Sequence, residues 1–221
     1  MMSKGGVFMN TCFDWNGKKA VFLGDSITEG YGVEDKENIY LEEVKRMLCL
    51  REAKNYGIGG TRIAAQADDE GSAFSVRYAK MDDDADLVVV FGGTNDFGHG
   101  TAPIGSPSDE ICTTYCGAWN VLLRGLIEKY SEAVIVMITP LHRDNETEVN
   151  HATGFTLAEY VSLARAAAEE YSIPVLDLYR SGGIVPMIEA NKSRFCPDGL
   201  HPNDAGHHLI ARKLAAFLQT V

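Results

Sequence analysis

Four short stretches of the chain carry residue types that could together cleave an ester. The first, Gly24-Asp25-Ser26-Ile27-Thr28-Glu29, follows directly on the apolar run at residues 20–23. A serine delivered at the carboxyl end of a buried strand stands where an α/β protein can expose a nucleophile. The second stretch, Asn55-Tyr56-Gly57-Ile58-Gly59-Gly60, offers a glycine N–H that a substrate can approach closely, at Gly59 or Gly60. The third, Gly92-Gly93-Thr94-Asn95-Asp96, puts the Asn95 amide after a tight turn, and such an amide can donate to a developing oxyanion. In the fourth, Asp198-Gly199-Leu200-His201-Pro202, Asp198 can accept from one ring nitrogen of His201 while the other faces Ser26. Nucleophile, base, orienting carboxylate and oxyanion donors are the parts that acyl transfer requires.

Each piece also has an ordinary structural reading. Ser26 could cap a strand-to-helix turn, Asn95 could be a turn asparagine and Gly60 a loop glycine. Asp25 reads as an acceptor that fixes its loop rather than as a catalytic acid. A second D-x-x-H, Asp204-Ala205-Gly206-His207, falls inside the predicted last helix, where His207 and His208 are expected to be solvated. Nucleotide motifs are incomplete: Arg62 stands where a dinucleotide fingerprint beginning at Gly57 needs its third glycine, and no phosphate-binding P-loop occurs. Thr28 occupies the place of the second glycine in a G-x-S-x-G elbow.

The elements that must position these residues follow from the hydropathy pattern. Apolar runs at 20–24, 53–56 (weak), 87–91, 134–138 and 174–178 alternate with amphipathic segments at 38–50, 111–130, 156–171 and 203–218, with a shorter one at 74–81. That alternation predicts an α/β fold: three layers, with a five-stranded parallel sheet covered by helices on both faces. With no internal repeat or composition break, residues 1–221 are expected to form one domain. In a flavodoxin-like strand order of 2-1-3-4-5, the carboxyl ends of strands one, two and three bring Ser26, Gly60 and Asn95 together. Strand five then lies about 14 Å from strand one, at ~4.8 Å per spacing. The link from 180 to 197 is long enough to return His201 to Ser26. Polar loops at 97–109 and 142–154 border the same edge, with Thr101, Ser106, Ser108, His142, Arg143 and Asp144.

Composition narrows the partners. Acidic residues outnumber basic ones 31 to 20, for a formal charge of -11. Such a surface repels phosphate backbones and anionic membranes, so nucleic acid is not expected as a partner. No apolar stretch reaches the roughly 18 residues of a membrane helix, and residues 1–10 lack the pattern of a signal peptide. The five cysteines include no C-x-x-C pair, which predicts reduced thiols in a cytoplasm. Cys112 and Cys116 lie one helical turn apart without a second ligand pair, so no metal is expected.

In sequence and order the four stretches resemble those of the SGNH hydrolases, also called the GDSL esterase/lipase family, from Gly24 to His201. The resemblance implies Ser26 as nucleophile, Asp198 and His201 as its triad partners, and an oxyanion hole built from the Ser26 N–H, Gly60 and Asn95. It implies no cofactor. The expected activity is hydrolysis of a small carboxylic ester through an acyl-enzyme, with a short acyl group on a polar alcohol such as an acetylated sugar. A lysophospholipase, a thioesterase or an acyltransferase could use the same triad. A reading from another class is a flavodoxin-like binding protein holding a flavin phosphate, which Asp25 and Glu29 oppose by their charge.

Overall fold

The computed structural model describes residues 13–69 and 71–221. Residues 1–12, which include Cys12 and the segment read above as lacking a signal peptide, lie outside the described residues. Five strands, β1 (Lys19–Gly24), β2 (Glu52–Gly57), β3 (Leu87–Phe91), β4 (Val134–Ile138) and β5 (Val175–Leu176), form one parallel sheet of order β2-β1-β3-β4-β5. This is the expected order. Gly24 registers with Gly57 on one side and Phe91 on the other, so β1, β2 and β3 end level.

Period-two alternation distributes the strand side chains to two cores. Phe22, Val89 and Val136 belong to one, with Tyr40, Leu41 and Val44 of α2 (Tyr40–Leu48) and Ile210 and Leu214 of α9 (Asp204–Phe217). Val21, Leu23, Val88, Val90 and Met137 belong to the other, with Trp119 and Leu122 of α5 (Tyr115–Lys129) and Tyr160 and Val161 of α6 (Leu157–Glu170). β2 is an edge strand, which is why its sequence is the least apolar.

Helix limits follow local capping. Thr114 accepts the Gly117 N–H and starts α5 later than residue 111, while Thr156 and Glu159 form a capping box on α6. α2 is shorter than the predicted 38–50 because residues 36–38 make a separate 3₁₀ turn and Cys49 ends the helix in the left-handed region at φ 54°. The 74–81 segment divides into α3 (Phe74–Arg77) and a 3₁₀ turn. β5 keeps only two residues, since the Asp177 carboxylate accepts the Arg180 N–H and opens α7 (Leu178–Ser181). Periodicity missed α7 and three other short helices, α1 (Ser26–Glu29), α4 (Thr94–His99) and α8 (Glu189–Phe195), because none is long enough to display a full stripe. No helix among the described residues is long and apolar enough to cross a membrane.

One expectation is corrected here. His208 is exposed, but His207 is fully buried, where its Nδ1 accepts the Tyr40 backbone N–H at 3.1 Å. Positions 207, 210, 211 and 214 share the face of α9 that packs into the core.

Candidate active site

Ser26 is the first residue of α1, set at the end of β1 by the buried Asp25 carboxylate, which accepts the Ile27 N–H at 3.0 Å. Burial pushes the Asp25 carboxyl up to about 7. The asparagine that opens the second stretch, Asn55, donates to Thr28 O at 2.7 Å and accepts the Gly57 N–H, joining β2 to α1.

The chain returns from β5 through α7 and α8 to the turn carrying Asp198 and His201. Asp198 Oδ1 accepts the N–H groups of Leu200 and His201 at 2.9 and 2.6 Å, and its Oδ2 accepts from His201 Nδ1 at 2.7 Å. His201 Nε2 then lies 3.0 Å from Ser26 Oγ. With Nδ1 donating to the carboxylate, Nε2 is the lone-pair nitrogen and accepts the serine hydroxyl. Partial burial works against the Asp198 charge, but the two backbone N–H groups and the imidazole outweigh it and hold the carboxyl below its ordinary range. The Tyr31 ring lies 4.3 Å from the imidazole, centre to centre, and is itself 60% exposed.

Gly59 and Gly60 have different roles. Gly59 donates its N–H to Glu29 Oε2 at 2.9 Å, whereas the N–H groups of Gly60 and Ser26 have no protein acceptor among the described residues. Gly60 sits at φ +73°, a conformation costly for any residue with a Cβ. Asn95 is in the first turn of α4, reached through Gly93 at φ +105°, and its Nδ2 donates one hydrogen to Thr61 O at 3.0 Å. Asp96 accepts the Ile63 and Ala64 N–H groups, tying α4 to the loop that follows Gly60; burial pushes its carboxyl up to about 7.

These groups meet in an open cleft of about 420 Å³ that Ser26, Gly60, Asn95 and His201 line together. Asp198 stands behind His201, outside the lining. A cavity of about 510 Å³ beside α5 and α6 contains none of the four stretches. Of the polar loop residues expected at the site, Arg143 lines the cleft and the others do not: Thr101 bonds Gln66, His142 bonds Glu146, Asp144 pairs with Lys192, and Ser106 and Ser108 bond each other. Sequence reasoning missed Glu29, Tyr31, Gly98, His99 and Leu200 as cleft residues. His99 was within reach, because it stands one helical turn after Asn95 once α4 is recognised. Cys112 and Cys116 are free thiols, and no cluster of metal-ligating side chains occurs among the described residues.

A family model described as the GDSL-like Lipase/Acylhydrolase family matches residues 22–209. Among solved structures, the chain is similar to a protein from Lactobacillus plantarum, with 33% identity, a TM-score of 0.82, and 93% of this chain and 98% of that one covered. Another solved structure is 32% identical at a TM-score of 0.87, covering 95% of this chain and 99% of its own. An acetyl xylan esterase shares the fold at 22% identity and a TM-score of 0.62, with 90% and 98% covered. No curated protein matches the chain.

Proposed function

The chain belongs to the GDSL-like lipase/acylhydrolase family, and from that premise we propose that it hydrolyses small carboxylic esters through an acyl-enzyme on Ser26. The observation that carries this reading is the unbroken chain Asp198–His201–Ser26, at 2.7 and 3.0 Å, opening on the cleft. His201 Nε2 takes the Ser26 proton as Oγ attacks the ester carbon. The resulting oxyanion accepts from the N–H groups of Ser26 and Gly60 and from the second hydrogen of Asn95 Nδ2. Collapse breaks the bond to the alcohol oxygen, which receives the proton from His201 and leaves. Water, deprotonated by the same imidazole, attacks the acyl-enzyme, and Ser26 recovers its proton as the acid departs. Asp198 stays ionised throughout and stabilises the imidazolium.

A short acyl group on a polar alcohol, such as an O-acetylated sugar, is supported by the cleft itself. It is open to solvent, with Glu29, His99 and Arg143 along its walls and an exposed aromatic face at Tyr31. A long acyl chain would need a continuous apolar channel to offset its desolvation.

The test is fluorophosphonate labelling of the wild type and of Ser26→Ala, with a panel of acetyl, butyryl and longer esters on sugar and simple alcohols. Labelling confined to the wild type, with activity falling as the acyl chain lengthens, is the expected result. Comparable turnover by folded Ser26→Ala would overturn the mechanism, and a preference for long chains would overturn the substrate class.

A further inference from the structure

We propose that Arg143 recognises a carboxylate carried by the substrate next to its scissile ester, an inference that rests on the ester-hydrolase reading of this cleft.

Arg143 is a partly buried guanidinium that lines the same cleft as Ser26 and His201. Its Nε donates to Asn145 Oδ1 at 2.7 Å, and its Nη1 donates to Thr94 O and Thr94 Oγ1 at 3.1 and 3.2 Å. The guanidinium also lies 5.3 Å from the centre of the Phe97 ring. These contacts use three of its five N–H donors and set the plane of the group. Both hydrogens of Nη2 remain without a protein acceptor among the described residues. Arg143 forms no ion pair with a carboxylate among them either, although burial draws its pKa down. The acidic groups whose fields reach it have other partners or stand apart: Asp144 pairs with Lys192, Asp198 with His201, Asp25 with the Ile27 N–H, and Glu148 is exposed.

A partly desolvated cation without a counter-ion carries a cost that an anionic ligand would relieve. The neighbouring wall does not compete for this role. His99 donates Nδ1–H to Asn95 O at 3.2 Å; burial and the two arginines, Arg62 and Arg143, push its pKa below the usual histidine value. It therefore presents a neutral ring, with Nε2 as an acceptor, and brings no negative charge to the cleft. The lining contains no lysine, and its one carboxylate, Glu29, is engaged by the Gly59 N–H, so Arg143 is the single full positive charge the lining offers, which suits a monoanionic carboxylate better than a phosphate dianion. Because the protein as a whole is at -11, an anion gains nothing from its general field, and recognition has to come from this local group.

The carboxylate could belong to the acyl part or to the alcohol part, and two matched ester pairs separate these sources. Methyl hydrogen succinate and methyl succinamate differ by an acid or an amide on the acyl side; O-acetyl-lactate and O-acetyl-lactamide differ likewise on the alcohol side. For one of the pairs, the wild type should favour the acid by about tenfold in kcat/KM, mainly through KM, and Arg143→Gln should bring that ratio close to one. Arg143→Lys, which keeps the charge and loses the Thr94 and Asn145 contacts, should retain part of the preference. An acid-to-amide ratio near one for both pairs in the wild type would overturn the proposal. So would an Arg143→Gln variant that slows acid and amide equally, because that is how a purely structural strut behaves. If no ester is turned over and Ser26 is not labelled, the hydrolase reading has failed by itself. Calorimetric binding of the two acids to Ser26→Ala, with and without Arg143→Gln, then decides separately: binding lost with Arg143 supports the site, and no binding, or equal binding, removes it.

Discussion

The Glu29 carboxylate accepts the Gly59 N–H at 2.9 Å across thirty residues of sequence, and Gly60, next in the chain, has no acceptor for its own N–H among the described residues. The adjacent glycines are thereby divided into a fixed member and an available one. Glu29→Ala should release the loop and lower kcat by about tenfold with a smaller change in KM, the scale of one hydrogen bond to a charged group. Glu29→Gln, which keeps an acceptor oxygen at the same reach, should recover most of the loss. If both variants match the wild type, the Glu29–Gly59 bond does not position Gly60, the proposed oxyanion donor.

Asn95 should show two separable effects. Its amide donates one hydrogen to Thr61 O and is proposed to give the other to the oxyanion. Asn95→Ala is expected to lower kcat by ~10²–10³ with KM nearly unchanged, and to cost about 1 kcal/mol of stability through the Thr61 contact. A normal kcat at a reduced melting temperature would make the residue structural only.

The two histidines that share the D-x-x-H pattern should behave in opposite ways. His201→Ala should abolish turnover and barely move the melting temperature, because its ring lies at the cleft. His207→Ala should keep the turnover of folded molecules within about threefold while costing roughly 1–3 kcal/mol, since it strands the buried Tyr40 N–H. Loss of activity in stably folded His207→Ala protein would contradict this division.

His207 should also shape the acid limb of stability. Burial holds its imidazole down to about 4, against 6.5 ordinarily, and its Nδ1 must stay unprotonated to accept from Tyr40. The unfolded chain therefore binds this proton first as pH falls. The stability from neutral His207 is complete above about 6.5 and is lost progressively toward 4, on the order of 3 kcal/mol. Asp25 and Asp96 act with the opposite sign. Their folded carboxyls, at about 7, hold protons that the unfolded chain releases near 3.8, so their contribution is lost as pH rises through that window. Melting curves from pH 4 to 7 for the wild type and His207→Asn separate the two, because the aspartates are common to both. The variant should lack the histidine-dependent fall, and identical curves would refute the assignment.

What the sequence determined is what depends on local pattern. The apolar runs specify the parallel strands and their alternating faces, and a Ser, a Gly or an Asn just past a strand end is carried to the sheet's carboxyl edge by chain connectivity alone. Asp198 and His201, three residues apart, can form their pair within one turn. Contacts between distant segments were decided only by the tertiary structure. Ser26 and His201 are separated by 175 residues, Thr94 and Arg143 by 49, and Glu29 and Gly59 by 30; each distance depends on how helices cross the sheet and where loops land. The same holds for His207, whose burial is settled by which face of α9 packs on Tyr40. Short helices such as α4 were beyond periodicity as well, because four to seven residues do not complete the repeat by which an amphipathic stripe is recognised. The energies that choose these arrangements belong to packed surfaces, and a packed surface exists only once the chain has folded.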